Sequence, residues 1–104
     1  MSFSNQKQAL ENKQNELLAR INGIEADLKK PHSADSAEQA QERENDEVLA
    51  ELLREAREEM VLVDRSLKRI DSGSYGKCES CGDVIAEARL EAYPVALHCI
   101  QCAS

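Results

Sequence analysis

The chain has 104 residues, 20 of them acidic and 13 basic, for a formal charge of −7. That length holds one small domain at most. Aromatics make up only 3% of it, with no Trp, which excludes a sandwich or barrel core. The acidic balance excludes a chain that holds nucleic acid by its own charge, since phosphate neutralisation needs a basic surface.

The N-terminal residues Met1 to Lys7 contain no apolar run, so no signal peptide is expected. The longest apolar runs fall far short of the ~20 residues that span a membrane. A cytoplasmic chain without membrane contact is therefore expected. In such a reducing compartment disulfides are rare.

From about Ser4 to Lys30, Leu10, Gln14, Leu17, Ile21, Ile24 and Leu28 recur at alternating spacings of four and three. That is a heptad seam with Gln14 as its polar member. Pro31 disfavours a helical conformation at Lys30, so the first helix should end near there. The segment 31–40 is small, polar and acidic, and forms the tip of a hairpin. Ser36 with Gln39 three residues on makes a capping box, which places a second helix start near Ser36. Asp35 and Glu38 favour the positive end of that helix.

The second seam reads Leu49, Leu53, Ala56, Met60, Val63, Leu67, Ile70. Reversed against the first, it pairs Leu28 with Leu49, Ile24 with Leu53, Ile21 with Ala56, Leu17 with Met60, Gln14 with Val63 and Leu10 with Leu67. Each helix alone has one narrow apolar stripe that must be covered. An antiparallel coiled coil covers both, over ~28 Å of each helix. Pairing between chains in a dimer would satisfy the same pattern, but a monomer needs only the short loop. Glu16–Arg20, Glu25–Lys29 and Asp64–Lys68 add i,i+4 pairs. Charge is uneven along this course. Residues 32–60 hold ten acidic against three basic residues, which by itself describes a solvated helix face.

Asp71-Ser72-Gly73-Ser74-Tyr75-Gly76 ends the second helix. Then come Cys78 and Cys81, seventeen residues from Gly82 to His98, and Cys99 and Cys102. This spacing falls in the zinc range. Two intervening residues let one tight turn aim both sulfurs at one ion, and Gly82 can take the positive φ such a turn needs. Four thiolates close a tetrahedral shell with no open position, so one structural Zn2+ per chain is expected. Two disulfides, a redox CxxC and an iron–sulfur cluster are the competing readings. The redox reading lacks a βαβ frame and the disulfides lack an oxidising compartment. His98 and the tip histidine His32 are expected at the surface.

The fold class is therefore mainly α, with a two-helix antiparallel coiled-coil hairpin over 1–71 and a small four-cysteine zinc-finger module over 72–104. Enzymatic chemistry finds no footing, for there is no nucleophile–base pair, no open metal site and no glycine-rich phosphate loop. No catalytic or cofactor-binding side chain is assigned beyond the metal ligands. Direct DNA binding by the finger is disfavoured too, because residues 78–102 contain Arg89 as their one base.

The stretch Gly73-x-Tyr75-Gly76-x-Cys78-x-x-Cys81-Gly82-x-x-Ile85, followed by Arg89-Leu90-x-Ala92-x-Pro94 and Cys99-x-x-Cys102, resembles the DksA/TraR C4-type zinc finger family. The resemblance covers roughly residues 35–102. It implies a regulator that binds RNA polymerase directly and inserts its coiled-coil tip in the secondary channel, often together with the alarmone ppGpp. The family's tip motif Asp-x-x-Asp-x-Ala falls on Asp35, Glu38 and Ala40, with Glu38 in place of the second aspartate. At the positions matching the family's basic alarmone site this chain has Glu55, Leu62, Tyr93 and Ala103, so weak or no ppGpp dependence is expected. The other class of reading is a zinc-stabilised protein–protein adaptor unrelated to the polymerase channel.

Overall fold

The computed structural model describes residues 3–31 and 36–102, the side chains of Ser36 and Ala37 excepted. His32, Asp35 and Ala103 lie outside the described residues. The elements are α1 (Ser4–Leu28), α2 (Ser36–Ser72) and the short α3 (Glu87–Ala92).

Phe3 supplies the carbonyl that accepts the first helical bond of α1, from Lys7 N–H at 2.8 Å. The last turn of α1 tightens at Lys29 and Lys30, whose N–H groups reach Ala26 and Asp27 at 3.3 Å. It stops before Pro31, for the backbone reason given by the proline ring. α2 runs two residues beyond Ile70. It then ends in a Schellman motif, with Gly73 at φ +81, Gly73 N–H on Ile70 O at 3.3 Å and Ser74 N–H on Arg69 O at 2.9 Å. The positive φ is what requires glycine there.

The chain packs as two compact units, residues 15–60 and residues 1–14 with 61–104. In the first, Leu17, Ile24, Leu53 and Ala56 are buried, and Ile21, Leu28, Leu49 and Met60 are half-buried. Arg57 there reaches across to Glu25 at 2.8 Å. In the second, Leu10 and Val63 are buried, and Gln14, Leu67 and Ile70 are half-buried. Gln14 Nε2 donates to Asp64 Oδ1 at 3.0 Å, one residue on from its expected partner Val63. Every seam position is thus withdrawn from solvent, in the order the heptads require.

Local ion pairing follows the helix spacing only in part. Glu16 and Arg20 meet at 3.7 Å. Glu25 pairs across the helices with Arg57 rather than along α1 with Lys29, and Asp64 accepts from Gln14 rather than pairing with Lys68.

Candidate metal centre

A pair of knuckles builds the site. Cys78 O accepts from Gly82 N–H at 2.9 Å, and Cys99 O accepts from Cys102 N–H at 3.0 Å, so each Cys-x-x-Cys closes into one turn. Gly82 has φ +78, as its place after the first knuckle demands. The first knuckle is held from below by Cys78 N–H on Asp83 O at 2.8 Å and by Ile85 N–H on Gly76 O at 2.7 Å, beside an isolated antiparallel bridge of Lys77 with Val84. Glu79 N–H on Leu97 O at 2.9 Å ties it to the segment leading into the second knuckle.

These turns bring the Sγ atoms of Cys78, Cys81, Cys99 and Cys102 within 4.8 Å of one another. Cys81 Sγ and Cys99 Sγ are 3.8 Å apart. A tetrahedron with metal–sulfur bonds of about 2.3 Å has edges of about 3.8 Å, so the four sulfurs fit one ion. Cys78 is buried, Cys99 and Cys102 are half-buried and Cys81 is exposed.

The electrostatics also fit a dication. The Cys99 backbone N–H, joined by those of Cys81 and Ser80 and by the His98 side chain, lowers the Cys78 thiol to about 5 against the opposing effect of burial. Cys102 is pushed up to about 12, first by its contact with Cys99 Sγ and then by Cys78 and Cys81. Cys81 is also raised, through Cys78 and Cys99 among its neighbours, although the Asp83 backbone N–H pulls it the other way. One sulfur is prepared as a thiolate, and its neighbours resist ionising until positive charge arrives. A bound Zn2+ would supply that charge and a four-way crosslink. The residues that would hold it are these four cysteines.

Sequence spacing did not reveal what steadies the site. Arg69 Nη2 donates to Ser74 O at 3.0 Å and to Lys77 O, bracing the turn that leads into the first knuckle. Arg65 bonds Glu79 at 2.7 Å. Tyr75 is buried, donates its hydroxyl to Pro94 O at 2.7 Å and meets Phe3 edge-on with ring centroids 4.8 Å apart. Burial pushes the Tyr75 phenol above its ordinary pKa. Arg89 Nε donates to His98 O at 3.1 Å, so the one base between the cysteines is engaged in holding the second knuckle. His98 is half-buried rather than a plain surface side chain, with Nδ1 3.2 Å from Ser80 Oγ. The signal for Arg65 and Arg69 was their place one turn apart at the end of α2, just before the first knuckle.

Of the tip positions, Glu38 lies in the first turn of α2, and both it and Ala40 are exposed. They belong to the unit of residues 15–60, whereas the cysteines belong to the other. Asp35 lies outside the described residues.

Two family models match almost the whole chain. The DnaK suppressor protein-like N-terminal domain matches residues 6–70, and the prokaryotic dksA/traR C4-type zinc finger matches residues 73–104. The chain belongs to the DksA/TraR family. As in that family's C4-type finger, the metal of its four-cysteine cluster is zinc. Its relatives include General stress protein 16O of Bacillus subtilis, 34% identical over 94 residues, covering 90% of this chain and 53% of the relative. The RNA polymerase-binding transcription factor DksA of Haemophilus influenzae is 37% identical over 74 residues, covering 69% and 48%. Among solved structures, transcription factor DksA2 from Pseudomonas aeruginosa superposes with a TM-score of 0.82 at 31% identity, over 92% of this chain and 75% of that one. The DnaK suppressor protein from Agrobacterium tumefaciens does so with 0.68 at 41% identity, over 99% and 92%. This chain spans about half, or less, of the length of the curated relatives it matches.

Proposed function

We propose that this chain is a DksA-like transcription regulator that binds RNA polymerase directly and inserts its coiled-coil tip in the secondary channel. The observation that carries the reading is the match of both family models, helical and zinc-finger, in one chain. It is supported by relatives named RNA polymerase-binding transcription factors. In this reading residues 1–71 present the tip, and residues 72–104 form the module in which Cys78, Cys81, Cys99 and Cys102 hold one zinc ion. Asp35, Glu38 and Ala40 act at the polymerase, Glu38 keeping the charge of the family's second aspartate on one more methylene.

The action is non-enzymatic, because a closed thiolate shell leaves the metal no position for substrate. It needs little or no ppGpp, since Glu55, Leu62, Tyr93 and Ala103 place no cation at the positions that match the family's alarmone site. The chain works as a cytoplasmic monomer without contacting DNA, in keeping with Arg89 being engaged by His98 O. None of its described helices is long and apolar enough to cross a membrane. A pull-down with core RNA polymerase, competed by another secondary-channel factor, tests the reading. Retention that the competitor abolishes supports it, and retention that the competitor leaves intact favours the adaptor reading.

A further inference from the structure

Residues 61–104 contain five basic side chains. Four of them, Arg65, Lys68, Arg69 and Lys77, line a single open, solvent-facing groove of about 800 Å3 beside the first knuckle. Its one acidic member is Glu79, which is already engaged by Arg65. Among the described residues no carboxylate pairs with Lys68, Arg69 or Lys77. Arg69 is fixed in place by two backbone carbonyls through Nη2, while its Nη1 is buried without a hydrogen-bond partner. A chain with a surplus of acid thus leaves three cations uncompensated around one groove. Like charges around one groove repel one another, and an anion entering it relieves that repulsion.

We propose that this groove is a binding site for an oligophosphate, either free or as the phosphate chain of a nucleotide. Several negative charges are called for, because the cations are spread over one turn of α2 and the start of the knuckle rather than gathered on one point. Lys68 and Lys77 are exposed and free to close on phosphate oxygens as mobile point charges. Arg69 contributes a fixed positive field. No aromatic side chain lines the groove, so there is no platform for a base, and the phosphates are what is read. Glu55, Leu62 and Tyr93, which match the family's alarmone positions, do not line it.

The test is calorimetric titration of the zinc-loaded full chain at low ionic strength, where exposed charges are least screened. The probes are inorganic tripolyphosphate, orthophosphate and a nucleoside triphosphate. Two double variants are compared, Lys68→Gln with Lys77→Gln in the groove and Lys29→Gln with Lys30→Gln as an equal charge loss elsewhere. Zinc content and helicity are measured before and after. Saturable one-to-one binding of tripolyphosphate is expected, much tighter than that of orthophosphate and within about threefold of the nucleotide. The groove variant should weaken it by about tenfold or more, because it removes two charge-assisted hydrogen bonds to the phosphates. The control variant should stay within about twofold, because Lys29 and Lys30 do not line the groove and make no direct contact with an anion in it. Absence of saturable binding, equal weakening by both variants, or heat that accompanies loss of zinc overturns the proposal.

Discussion

Cys81 Sγ lies 3.8 Å from Cys99 Sγ, the spacing of two corners of a zinc tetrahedron and far from the ~2.05 Å of a disulfide. Protein purified without added metal should therefore carry one zinc per chain by elemental analysis. A value near zero with intact disulfides by mass spectrometry would be the contrary result. Structural zinc of this kind contributes roughly 10–16 kcal/mol. Cys81→Ser should accordingly unfold the C-terminal module while circular dichroism still reports partial helix from the coil.

Leu17 is fully buried in the middle of its seam. Leu17→Ala should cost about 3 kcal/mol, read as a lower urea midpoint. Leu18, 48% exposed beside it, is the control, and its replacement by Ala should change stability by no more than about 0.5 kcal/mol. Equal effects at both positions would mean that the heptad assignment is wrong.

Gly76 has φ +84, and a Cβ there would stand 2.9 Å from Phe3 Cζ. Gly76→Ala must therefore both strain the backbone and push the Phe3 ring off Tyr75. A loss of about 1–3 kcal/mol is expected, with a change in the near-ultraviolet dichroism of the tyrosine. Removing the ring with Phe3→Ala in the same chain should recover only the steric part.

The helical frame and the four-cysteine cluster were legible because each obeys a strict local rule. The 4-3 alternation that picks out Leu10, Leu17, Ile24, Leu53, Ala56 and Val63 is a consequence of helix period, and these residues are buried. Cys-x-x-Cys fixes a turn whatever surrounds it. Pairings decided by tertiary approach were not legible. Gln6 and Ser66 are buried despite their polarity, and Ser66 absorbs its own by donating to Leu62 O at 2.9 Å. The destinations of Glu25, Asp64, Arg65 and Arg69 depended on which backbone or side chain came near them in the fold, and residue spacing along one helix carries no such information. The resemblance named Tyr75 and Pro94 as matching letters, and the 2.7 Å bond between them supplies the reason.

Alarmone response offers a separate check. With Glu55, Leu62, Tyr93 and Ala103 at the alarmone positions, in vitro transcription should show no synergy between this chain and ppGpp, using a polymerase whose own alarmone site is disabled. Strong synergy would show that the match of those positions to the family's alarmone site is wrong.

The central claim is that the tip acts at the polymerase and the seam only places it. Binding to RNA polymerase and the lifetime of promoter complexes should be measured together for wild type, for Asp35→Asn with Glu38→Gln, and for Leu53→Asp. Glu38 is exposed, so removing its charge should cost little stability, while Leu53 is buried and a carboxylate there should disrupt helix pairing. The account predicts that the tip variant binds almost as wild type yet loses its effect, so that promoter-complex lifetime equals that of polymerase alone, and that Leu53→Asp loses both binding and effect. A tip variant that regulates like wild type would contradict it.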